Sequence, residues 1–180
     1  EKCFDFTQVV NFFDQSGVAL KNRKVVEHQS PEGQELSRRF DVKKIPVLIV
    51  SDNIREYPQV AHLWGRIPLT QKENQLIIDP LLPPYKDLAS NSIKGLVSAI
   101  FLNDSSCKDC YNVVEINKQI LDGAGVVLTK EDIVDVSSPE GKDLLTKYNI
   151  TKVPAGLLSP ETSEYITLTQ AWPQLGTVET

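Results

Sequence analysis

Four residues carry the clearest chemistry in the chain: Cys107-Lys108-Asp109-Cys110. Two thiols at this spacing can exchange a disulfide with another protein, hold a static disulfide, or supply half of a zinc site. Exchange needs an exposed thiolate with a second thiol within one helical turn. Zinc commonly wants four ligands, often as two such pairs. Only one pair exists, and His28 and His62 lie far from it in the sequence. The residues therefore point away from metal, and no cofactor is implied. The third thiol, Cys3, has no partner at this spacing. No glycine-rich phosphate loop, Ser/His/Asp set or credibly placed carboxylate pair accompanies the cysteines.

Composition narrows the classes further. The chain has 180 residues, no Met and a formal charge of -5. Its 41% apolar and 24% charged residues fit a globular protein rather than a disordered one. No basic run marks a nucleic-acid partner. No stretch approaches the roughly 18 apolar residues of a membrane span. The opening, Glu1-Lys2 running straight into an amphipathic pattern, does not read as a signal peptide. A chain without Met reads as trimmed. Removal of a signal or anchor segment fits that, as does proteolysis, and the reading leans to an extracytoplasmic location.

An internal repeat organises the sequence. Shifted by 108 residues, Ser30-Pro31-Glu32-Gly33 falls on Ser138-Pro139-Glu140-Gly141, and Lys44-Ile45-Pro46 on Lys152-Val153-Pro154. Leu36, Phe40, Tyr57 and Trp64 fall on Leu144, Tyr148, Tyr165 and Trp172. The register runs without a gap from Gly17 and Gly125 to the tryptophans. A one-residue gap before it brings Cys3 onto Cys110.

The elements that must position the thiols follow from this repeat. Gly95–Leu102 is an apolar run, a buried strand. Asn103 to Ser106 offer N-cap residues, so a helix is expected to open at the cysteines. Cys107 then sits at its N-terminus, where the dipole favours a thiolate. Cys110 lies one turn further in, facing the core. Ile133–Val136 and Val25-Val26 read as short strands. Ser138-Pro139 and Ser30-Pro31 read as N-cap and first helical residue. Ala155–Leu158 and Tyr165–Leu168 read as a hairpin, with Trp172 and Trp64 packing in terminal strands. Asp79–Tyr85 is Pro-rich and reads as a linker or an extended crossing segment.

Strand, Cys-x-x-Cys, strand, helix and X-Pro before a further strand resembles the thioredoxin fold. Cys107-Lys108-Asp109-Cys110 and Tyr148–Pro154 carry the likeness, and two such units resemble tandem proteins of the protein disulfide oxidoreductase type. The resemblance implies that Pro154, and Pro46 in the first unit, follow cis bonds. It implies that Cys107 attacks, Cys110 resolves, and Val153 with Pro154 binds an extended protein substrate. Ser106, Phe101 and Ala155 depart from the family, which typically has Trp before the motif, an acid six residues before the first Cys and Thr after the proline.

The expected architecture is thus α/β: two tandem thioredoxin-like domains, residues 1–79 and 80–180, the first lacking its N-terminal strand. That central place is expected to be locally disordered or filled by another segment, with a second copy of the chain as one source; a homo-oligomer is one consequence. The expected function is thiol–disulfide exchange through Cys107 and Cys110 with a protein substrate or redox partner. A binding or scaffold module with an inert pair is the alternative. Cys3, Ile45 and Pro46 would form a truncated or vestigial second site; Cys3 as a buried residue that never had a partner is the alternative.

Overall fold

A computed structural model describes residues 3–177. The chain is mixed α/β and divides into two compact units, Glu1–Lys94 and Gly95–Thr180. The sequence placed the division at 79/80. Strand pairing moves it, because residues 85–94 are hydrogen-bonded into the first unit.

In the first unit, helix α1 is Thr7–Gln15 and α2 is Pro31–Phe40. Strands β1 (Lys44–Ile45) and β2 (Leu48–Ser51) follow. After two 3-10 turns come β3 (Leu69–Lys72), β4 (Gln75–Ile78), β5 (Tyr85–Asp87) and β6 (Ser92–Lys94). Two antiparallel sheets result, ordered β2-β4-β3 and β1-β5-β6. The β3–β4 hairpin closes through Glu73-Asn74, both at positive φ, the backbone a two-residue hairpin loop requires. The expected strand at Val25-Val26 does not form, and Val25 is 93% exposed.

In the second unit, β7 is Leu96–Asn103, α3 Val113–Gly123, β8 Val127–Asp135, α4 Pro139–Lys147, β9 Ala155–Leu158 and α5 Ile166–Leu175. The sheet order is β8-β7-β9, with β8 parallel and β9 antiparallel to β7. Val97, Ala99 and Phe101 on one face of β7 are buried with Val113 and Leu121 of α3 and with Leu168 of α5. Burying a side chain of this size fully contributes about 1.5–3 kcal/mol. The expected hairpin through Pro160–Thr162 is instead a 3-10 turn leading into α5. Trp172 therefore lies on a helix, and Trp64 caps a 3-10 turn rather than ending a strand. Tyr165 explains the override. Its hydroxyl donates to Gly95 O at 2.6 Å and accepts from Val127 N at 3.0 Å, so the chain must turn there to seat a buried ring.

Residues 108 apart repeat their local geometry. Ser30 and Ser138 each accept from the N–H three residues on and cap their helices. Gly17 and Gly125 share positive φ, as do Asp41 and Asn149 after α2 and α4. Ala19 N donates to Tyr57 Oη as Val127 N does to Tyr165 Oη. The Ile45–Pro46 and Val153–Pro154 bonds are both cis.

Tyr165→Phe is expected to destabilise the second unit by about 1–3 kcal/mol, the usual consequence of leaving a buried hydrogen-bonding group unpaired. Burial raises the Tyr165 pKa. Its contribution is thus complete below the ordinary tyrosine value and fades as pH rises through the folded one. Denaturant unfolding of both proteins near pH 7 and above pH 10 checks this: the two curves should converge in alkali.

Candidate functional site

Cys107 and Cys110 are bonded to each other, with Cα atoms 5.5 Å apart. They do not sit where the sequence placed them. Helix α3 begins only at Val113, capped by Asn112, whose side chain accepts from Glu115 N. The pair lies ahead of the helix, in the turn between β7 and α3, and both cysteines are partly exposed. The reason is competition for backbone donors. Asp104 O accepts from Cys107 N at 3.1 Å. The Asp104 carboxylate accepts from Ser106 N and Oγ at 2.9 and 2.6 Å. These local bonds offer the backbone an alternative to helix. Cys107 therefore does not hold the helix N-terminal position, and Cys110 does not lie within the helix. Thiolate stabilisation by the α3 terminus is not a feature of this geometry.

Asp135, at the end of β8, fixes the turn from the other side. Its carboxylate accepts from Ser105 N at 2.9 Å and Ser137 N at 2.8 Å. Hydrogen bonds from Ser137 and Ser105 hold its carboxyl well below the usual range. A depressed folded pKa means this contribution is complete above the ordinary value of 3.8 and is lost as pH falls from there through the folded value. Asp135→Asn is expected to loosen the turn, with faster amide exchange at Ser105 and Ser137 at neutral pH. Unchanged exchange at both amides would refute the role. No local pattern marks this residue, because its partners lie 30 residues away and in the next turn.

Tyr111 joins the cysteine turn to the cis-proline. It follows Cys110, is half exposed, and its hydroxyl donates to Pro154 O at 3.3 Å. With Asn103, Cys107, Cys110, Val113 and Ile133 it lines a shallow cleft of about 470 Å³. Ile133 is 63% exposed there, an apolar rim beside the disulfide. Val153 is partly exposed and makes no backbone hydrogen bond among the described residues. The cleft thus brings Cys107 and Cys110 together with Tyr111 and Ile133, which no sequence motif singled out, while Val153 and Pro154 are not among its lining residues and Pro154 is reached only through Tyr111. An aromatic residue directly after the second cysteine was the one available hint.

The first unit differs at each of these places. Cys3 is a free, partly exposed thiol. Phe4 stands where Tyr111 stands and has no hydroxyl to reach a proline carbonyl. Ile45, ahead of cis-Pro46, is paired with Lys86 of β5, and Leu88 N donates to Lys43 O at 2.9 Å. The backbone edge that Val153 leaves open is here filled by the chain itself. Among the described residues no hydrogen bond joins Cys3 to Ile45 or Pro46.

No group of three His, Cys, Asp or Glu side chains among the described residues is placed to hold a metal ion. No helix among them is long and apolar enough to cross a membrane. Fold and site together define a mixed α/β protein with a bonded Cys-x-x-Cys turn tethered to a cis-proline. No family model, no curated protein and no solved structure matches the chain.

Proposed function

We propose that this chain is a thiol–disulfide oxidoreductase acting on protein substrates, built from two tandem thioredoxin-like units of which the second carries the redox site. One observation carries the reading: a bonded Cys107–Cys110 pair in a partly exposed turn, held through Tyr111 against the carbonyl of cis-Pro154.

In the reductive direction the pair starts as two thiols. The Cys107 thiolate attacks a substrate disulfide. A Cys107–substrate bond forms, and the other substrate sulfur leaves as a thiolate. Cys110, deprotonated, then attacks Cys107 Sγ. The second substrate thiolate departs, and the pair is left oxidised. Two electrons have passed to the substrate, and an external dithiol must return them. The unpaired backbone of Val153 suits an extended substrate segment, and β5 on Ile45 illustrates that docking within the same chain. Ile133 offers the apolar contact an unfolded segment seeks.

The test is reduction of insulin by dithiothreitol. The protein should accelerate it, and Cys107→Ser should return the rate to that of dithiothreitol alone. Equal rates for the two proteins would overturn the reading.

A binding module with an inert disulfide is the second reading. It is favoured by the position of Cys107 outside a helix terminus, and by Phe101, fully buried where thioredoxins place an acid. It predicts a pair that stays oxidised through the insulin assay.

A further inference from the structure

A second open pocket, of about 390 Å³, lies in the first unit, and no cysteine lines it. One wall is the end of α2 and the chain just after it, Phe40 to Lys43. The other is the β3–β4 hairpin, which contributes Thr70, Lys72, Ile77 and Asp79. The register explains that grouping. Thr70 pairs with Ile77, and Asp79 N donates to Pro68 O at 3.0 Å, which carries the ladder one step past β4. Side chains alternate across a strand, so these four residues share one face of the hairpin. Ile77 packs there with Phe40 and Val42, and the three close the floor of the pocket.

Most charges around the pocket are already matched. Lys43 pairs with Asp41, and Arg39 with Glu73. The Lys44 ammonium lies over the Tyr85 ring, 4.4 Å from its centroid. Asp79 and Lys72 remain. Among the described residues neither side chain makes a hydrogen bond or an ion pair, and nor does the Thr70 hydroxyl between them. Asp79 is only partly exposed, and burial raises its pKa more than the Lys44 charge lowers it. A carboxylate in that setting is stabilised by a cation brought into contact with it. Asp79 stands opposite Pro68, and Lys72 opposite Gln75. Four residue steps along the hairpin separate the two opposite charges, or ~13 Å. In the second unit Asn149 and Thr151 hold the places of Asp41 and Lys43, so this charge pattern is not repeated there.

We propose that this pocket of the first unit binds a short zwitterionic peptide, its terminal ammonium on Asp79 and its terminal carboxylate on Lys72. Size sets the length. Three extended residues span at most about 10–11 Å, and the flexible Lys72 side chain covers the remainder. A single amino acid is too short to reach both charges. The Thr70 hydroxyl, midway, donates to a peptide carbonyl, and the apolar floor accepts small uncharged side chains. The site lies in the unit that lacks the disulfide, and it does not rest on the thiol chemistry.

Trialanine is the probe, titrated into the whole chain near pH 7 and followed by the amide NMR shifts of Val42, Thr70 and Asp79. Saturable shifts at these amides are expected. N-acetyl-trialanine lacks the ammonium and trialanine amide lacks the carboxylate, so each should bind at least tenfold more weakly. Two variants assign the ends. Asp79→Asn should erase the preference for trialanine over its acetylated form and keep the preference over the amide. Lys72→Met should do the reverse. Absence of saturable shifts with trialanine overturns the proposal, as does equal affinity for the three peptides. Variants that weaken all three peptides alike, with both preferences kept, also overturn it, since a merely structural role would do that.

Discussion

Reduced Cys110→Ser protein, presented with a protein disulfide, is expected to accumulate as a covalent adduct through Cys107. The expectation follows from the order of the two displacements. Once Cys107 has bonded to a substrate sulfur, release depends on a second thiol within reach. The Cα atoms of the pair lie 5.5 Å apart, inside the range a disulfide spans. No other thiol in the second unit can replace Cys110, since Cys3 is in the first. The serine hydroxyl is not a nucleophile under these conditions, so the mixed disulfide persists. Non-reducing electrophoresis after quenching with an alkylating agent should show the adduct in Cys110→Ser and none in Cys107→Ser. The reverse pattern would exchange the roles of the two cysteines. Adducts from neither would leave the bond structural.

The second large effect concerns the fold. Gly141→Ala and Gly33→Ala should each destabilise their unit severely. A Cβ at Gly141 would lie 2.2 Å from Asp135 O and 2.7 Å from Val136 Cα; one at Gly33 would lie 2.2 Å from Glu27 O and 2.8 Å from His28 Cα. All four are backbone atoms, which cannot rotate away as a side chain would. Both glycines have ordinary φ, so close approach alone excludes a side chain. Relief requires the helix to move off the segment before it, breaking the serine cap. The cost is expected at or above the top of the roughly 1–3 kcal/mol usual for overpacking. Denaturant midpoints check it, with Gly65→Ala as the comparison, since nothing lies within 4 Å of a Cβ there. Equal midpoints for Gly141→Ala and Gly65→Ala would show that the helix moves freely.

Local chemistry was legible where neighbours in sequence are also neighbours in space. Ser30-Pro31 and Ser138-Pro139 cap their helices because cap and capped N–H are three residues apart. The apolar run at β7 identified a buried strand. Where two local patterns competed, reading the residues failed. Asp104, Ser105 and Ser106 could start a helix or close a turn. They close a turn because Asp135, distant in sequence, takes the N–H of Ser105. Tyr165–Leu168 has the composition of a strand but opens a helix, because the Tyr165 hydroxyl is bound to the ends of β7 and β8.

By itself the sequence determined the duplication and the thiol pair, both of them patterns of residue type and spacing; the cis bonds before Pro46 and Pro154 were expected only from the family resemblance, and the one before Pro84 was not expected. Tertiary structure decided what each copy of the pattern became. A strand exists only if a partner bonds to it. Residues 127–135 are β8 because β7 lies beside them, while residues 19–27 repeat their place without a ladder. The edge ahead of a cis-proline is open or filled according to whether a segment like β5 reaches it. Those pairings are long-range, and no window of neighbouring residues contains them.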